Sequence, residues 1–61
     1  MNFIVLTTSS GLMAARIRAA ILATGADARL THGTSGLYTV LTGQADWARG
    51  QAIANVVMVL P

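Results

Sequence analysis

The chain has no cysteine, no lysine, no glutamate, one histidine and one proline among its 61 residues. Each absence removes a class of explanation. Without cysteine there are no disulfides and no thiolate metal sites, and with His32 alone a multi-histidine metal centre is excluded as well. The charged side chains are Arg16, Arg18, Arg29, Arg49, Asp27 and Asp46. Paired-carboxylate catalysis would need the two aspartates to converge, yet each stands where a turn or helix-cap residue is expected. His32 as a general base would need a nucleophile and an orienting acid. Ser35 and Asp27 are the only nominees, and nothing in the turn after His32 aligns them. No catalytic residue, metal ligand or cofactor is nominated, and an enzyme is the least favoured class.

A long apolar run is lacking too. A membrane-spanning helix needs about 20 mainly apolar residues. Phe3–Leu6 is broken by Thr7-Thr8-Ser9-Ser10-Gly11, Leu12–Ala23 contains Arg16 and Arg18, and Ile53–Leu60 is short and ends at Pro61. The N-terminus lacks the basic segment of a signal peptide. These features favour a soluble, cytoplasmic protein with no membrane partner.

What the chain has in excess is apolar side chains, 54% hydrophobic against 10% charged. A domain of this size hides only about 60% of the surface its unfolded chain exposes. Small soluble domains ordinarily carry roughly 25–35% charged residues on their surface. Some apolar surface is therefore left for a partner. With disulfides and thiolate metal sites excluded, oligomerisation is the remaining device for stabilising so small a domain. The pI of 10.7 comes from arginines scattered along the chain rather than from the clustered basic stripe of a nucleic-acid binder.

One domain spanning 1–61 is expected, and its elements follow from periodicity and punctuation. Asn2–Thr7 is β-rich and apolar on both faces, as in a central strand. Ser9 and Ser10 precede a helical pattern over Leu12–Thr24, with Met13, Ile17, Ala20, Ile21 and Thr24 on one side and Gly25 at its end. Ala28–His32 and Leu37–Thr42 flank the turn Gly33-Thr34-Ser35-Gly36 and make a hairpin. Asp46 is placed to cap a short second helix through Ala54, and Asn55 to stop it. Val56–Leu60 then reads as a last strand, with Pro61 past its end. The alternative lets the second helix run on to the terminus. Val5-Leu6-Thr7 recurs as Val40-Leu41-Thr42, each followed by a turn and a helix. The order β-α-β-β-α-β is the split βαβ, or ferredoxin-like, α+β plan, with a four-stranded antiparallel sheet and two helices on one face. A βαββα domain without the last strand is the alternative.

Aligning the two Val-Leu-Thr strands gives Phe3, Val5, Tyr38 and Val40 one parity and Ile4, Leu6 and Leu41 the other. Seating the second set beneath Ile17 and Ile21 leaves Phe3, Val5, Tyr38 and Val40 as an open apolar face, a candidate contact site. Arg18, Arg29 and Arg49 would supply its rim. The expected function is that of a non-enzymatic protein-binding protein, regulatory or inhibitory. It would act as a homodimer or higher oligomer through that face and bind a larger partner. The size suits a phage or mobile-element accessory protein.

Two other classes compete. The layout resembles a ligand-sensing module of the ACT type, with effectors near Gly33–Gly36 or at Ser9, Ser10 and Gly11, where helix N–H groups attract anions. A Walker-type glycine pattern and its lysine are missing there, so the serines read first as caps. The layout also resembles an RNA recognition motif, with Phe3 and Tyr38 stacking bases beside Arg29. Gly36–Leu41 lacks the basic start and second aromatic of that motif. Trp47 reads as core or rim packing before it reads as a binding hot spot. Gly50, costly in a helix interior by about 1 kcal/mol, would be explained by a close backbone approach.

Overall fold

Strand β1 runs from Asn2 to Thr8 and ends in a cap for the first helix. Thr8 Oγ1 accepts from the Ser10 N–H at 3.1 Å, and Ser10 Oγ accepts from the Met13 N–H at 3.1 Å. This satisfies an orphan donor at the start of α1, Gly11–Leu22. Helix α1 buries Ala14, Ile17 and Ile21, one face at three- and four-residue spacing. Thr24 and Gly25 return bonds to the carbonyls of Ile21 and Leu22, and Gly25 turns the chain at φ +88°. Strand β2, Arg29–His32, and strand β3, Tyr38–Gly43, form the hairpin, closed by bonds between Gly33, Gly36 and Leu37. A 3₁₀ turn over Gln44–Asp46 leads into α2, Trp47–Val59. This is a computed structural model, and it describes residues 1–59.

The sheet is three-stranded and antiparallel, in the order β1-β3-β2, with both helices packed on one of its faces. The expectation of a four-stranded ferredoxin-like sheet is corrected: the chain order is β-α-β-β-α. Val56–Val59, read from the sequence as strand, continue α2 as a helix, while Leu60 and Pro61 lie outside the described residues. The reason is tertiary. In helical geometry Gly50 and Ala54 are buried, and Ile53 and Val57 pack beside them against the core. That stripe outweighs the β-propensity of Val-Val-Met-Val. Asn55 is exposed and does not stop the helix.

Side-chain parity is also the reverse of the expected one. Val5 and Val40 are 7% and 0% exposed, and Phe3, Tyr38 and Thr42 share their helix-facing side. Ile4 and Leu41 pair on the open side. The register of β1 against β3 slips between Ile4 and Leu6, so that Leu6 pairs Val40 and Val5 is the extra residue. Such a bulge turns two successive side chains toward one face. Val5 and Leu6 both reach the core for this reason.

Helix α2 is tied to the bulge. Trp47 Nε1 donates to the Ile4 carbonyl and Gln51 Nε2 to the Val5 carbonyl, each at 2.9 Å. One turn of helix thus serves two successive carbonyls of β1. Between these anchors Gly50 lies so close to β1 that a Cβ there would stand 2.9 Å from Val5 Cγ2 and 3.4 Å from Thr42 Cγ2. The neighbours at Gly50 are thus side chains of the sheet and of Ile21 on α1, not the backbone expected from the sequence. The Cα radius of gyration is 10.5 Å, which matches the roughly 10.5 Å of a compact chain this long.

Gly50→Ala tests this contact. Alanine gains about 1 kcal/mol of helix propensity. Overpacking against buried, rotamer-stiff Val5 costs about 1–3 kcal/mol. The expected outcome is a net loss, with Tm lower by about 4–8 °C for each kcal/mol in a domain this small. A higher Tm in thermal denaturation would show that α2 does not sit this close to β1.

Candidate interaction surfaces

The open face of the sheet is built by pairing. Arg29 and Ile4 flank Leu41 in one row, and Thr31 and Thr7 flank Thr39 in the next. Thr7 Oγ1 and Thr39 Oγ1 share a hydrogen bond at 3.4 Å. This surface carries three threonines beside Arg29, Leu41 and Ile4, with Ile4 as its one strongly exposed large apolar side chain at 58%. It is not the apolar patch expected from the sequence.

The four residues expected there have other work. Val5 and Val40 form the core with Ile17 and Ile21. Phe3 meets Trp47 at a tilt, ring centroids 6.5 Å apart and 56° between planes. Tyr38 stacks flat on His32, centroids 3.9 Å apart and 8° from parallel. The Tyr38 ring also lies against Gly11, where a Cβ would come within 2.9 Å of Cζ. Phe3 and Tyr38 therefore face the helices, and the base-stacking platform with Arg29 on the open side does not form. Trp47 is 40% exposed, with its ring against Phe3 and its Nε1 on the Ile4 carbonyl.

The apolar surface lies on the helical side instead. Ala20 of α1 and Ala52, Ile53, Val56 and Val57 of α2 line an open groove of about 320 Å³ with scarcely a polar atom. Val56 is 58% and Val59 80% exposed, and Met58 is also exposed. Sequence reasoning missed this surface because it read 56–60 as strand. As a helix, 47–59 is apolar on both its inner stripe and its outer one, which is the signal that could have found it.

The arginines divide. Arg18 reaches from α1 to donate through Nε to the Ala28 carbonyl at 3.3 Å, just before β2 begins. Arg18, Asp27, Arg29 and Thr31 line one concavity along the outer side of β2, together with Ala28 and Leu30. Arg49 stands exposed on α2 and does not line it. Ser9, Ser10 and Gly11 form a helix cap: Ser10 Oγ is committed to Met13, and Tyr38 covers Gly11. Among the described residues no helix is long and apolar enough to cross a membrane, and no group of three or more His, Cys, Asp or Glu residues could hold a metal ion.

No protein-family model matches the chain, and no curated protein or solved structure matches it either.

The cap and the anion site make opposite forecasts. Ser10→Ala should lower stability by about 0.5–2 kcal/mol. Inorganic phosphate should raise the Tm of the unaltered protein no more than sodium chloride does at equal ionic strength. A phosphate-specific rise that Ser10→Ala abolishes would instead make this turn a ligand site.

Proposed function

We propose that the protein is a small, soluble, cytoplasmic and non-enzymatic protein-binding module, regulatory or inhibitory in role, that works as a homodimer. Its size suits an accessory protein of a phage or mobile element. The observation that carries the reading is the outer face of α2, where Val56 and Val59 stand exposed beside a groove floored by Ala20 and Ala52.

A second copy suits this face on three counts. First, ridge and groove lie on the same surface. A two-fold contact can therefore seat the Val56–Val59 ridge of each protomer in the alanine-floored groove of the other. Second, the only formal charge on α2 is Arg49, so little on that helix must be desolvated. Third, the protein is a plate of 31 × 28 × 14 Å. Its broad side is large enough for the roughly 800 Å² per partner of a standard interface. Smaller contacts on a chain this short would leave the outer stripe of α2 in water at about 25 cal/mol per Å². Docked in this way, the pair would bury four helices between two sheets, leaving the threonine faces and the outer strands free for a larger partner.

Val56→Glu places a charge on the proposed seam. It should convert the dimer to a monomer in light scattering while far-ultraviolet circular dichroism stays unchanged. Ile4→Glu, on the open sheet face, should leave the dimer intact. Loss of the dimer in Ile4→Glu but not in Val56→Glu would move the interface to the sheet. A monomeric unaltered protein across the concentration range would remove the homodimer altogether.

A further inference from the structure

Strand β2 has a paired side and a bare one. It bonds only to β3 among the described residues, so its other edge offers unpaired backbone groups. An edge of this kind is a template for another strand unless something blocks it. At β1 the side chains of Trp47 and Gln51 occupy backbone carbonyls. At β2 the one such contact is Arg18 on the Ala28 carbonyl, one residue before the strand. Arg29 and Thr31, on the open side of the sheet, and Arg18, from the helical side, bracket the concavity that runs along this edge.

We infer that the outer edge of β2 is a docking site for an extended, acidic segment of a partner protein, which adds to the sheet as a fourth strand. The inference rests on the reading of the protein as a protein-binding module and names the chemistry of what it binds. Backbone pairing would supply affinity, and charge would supply choice. Side chains of an added strand alternate between the two faces of the sheet. A carboxylate on the open face would meet Arg29, and one on the helical face would meet Arg18. The bond from Arg18 to Ala28 uses Nε, which leaves the Nη groups of the fork for a further acceptor.

The same charges decide against a second copy at this edge. Along the concavity two guanidinium groups face the single carboxylate of Asp27. A two-fold pairing of β2 with itself would double that imbalance along one seam, and like charges set against each other disfavour association. An acidic strand relieves the imbalance. The two surfaces thus divide the work: the helical face takes the second copy, and the β2 edge takes the partner.

The test uses the full chain and fluorescein-labelled peptides of eight residues. One repeats Glu-Glu-Thr-Thr, so that carboxylates fall on both faces of the strand, a second has lysine for every glutamate, and a third is the glutamate peptide N-methylated at every internal backbone nitrogen. The glutamate peptide should bind at least about tenfold more tightly than the lysine one by fluorescence anisotropy. N-methylation should cost a similar factor, since it removes donors that β-addition needs. Amide chemical-shift changes should centre on residues 28–32. Arg29→Glu, at an exposed position, should reverse the preference toward the lysine peptide. Indifference to peptide charge, indifference to N-methylation, or shifts centred elsewhere would overturn the inference. An oligothymidine that displaces the peptide from the same amides with equal affinity would also overturn it, in favour of a nucleic-acid surface. Light scattering on the same samples keeps the two readings apart. A dimer that ignores the peptide sinks this inference alone, and a monomer that binds it sinks the homodimer alone.

Discussion

Where β1 carries one residue more than β3, its backbone leaves the ladder, and the carbonyls of Ile4 and Val5 are met by Trp47 and Gln51 of α2 rather than by another strand. The rest of the architecture depends on this junction. It places the first turns of α2 across β1, and it requires a residue without a side chain at the point of closest approach. Gly50 meets that need by letting Val5, Thr42 and Ile21 fill the space beside the helix. Once α2 is seated there, its Gly50–Ala54 stripe is drawn over the core and the segment after it cannot peel away to become a strand.

That choice fixes which surfaces are spare. A fourth strand would have to add at an outer edge. Instead the last described segment spends its apolar residues in two directions, inward through Ile53, Ala54 and Val57 and outward through Val56 and Val59. The sheet keeps one edge dressed by side chains and one edge open, and keeps a threonine face toward solvent. Among the described residues the largest side chains buried to completion are Ile17, Ile21 and Val40. So small an interior is why contacts at the margin, such as the stacked His32–Tyr38 pair against Gly11, matter to the fold as much as the centre does.

Local chemistry made the first two-thirds of the chain readable. The serine cap, the glycine after α1 and the Gly33–Gly36 turn each carry a short-range reason for their conformation, and the elements fall close to where those residues place them. The grouping of Phe3, Val5, Tyr38 and Val40 on one side was readable as well. Which side was not, because Ile4, Leu6 and Leu41 are as apolar, and no residue type marks the bulge that sends Leu6 inward. The end of the chain failed for a different reason. Val-Val-Met-Val has strand propensity, and the contact that overrules it, Gly50 on Val5, joins positions 45 residues apart. The concavity that gathers Arg18 with Arg29 and leaves Arg49 elsewhere is a product of α1 packing beside β2, not of spacing along the sequence.

The strand order also sets a timetable. Strand β3 is central, yet it is the last strand to be made, and Phe3 has to wait for Thr42 before it has a neighbour. At about 5–20 residues per second, a nascent chain holds β1 unpaired for some seconds. Helix α1, whose contacts within itself are local, can form during that wait, but β1 can join the sheet only once β3 has been made. A partner present during synthesis would meet β1 before β3 does.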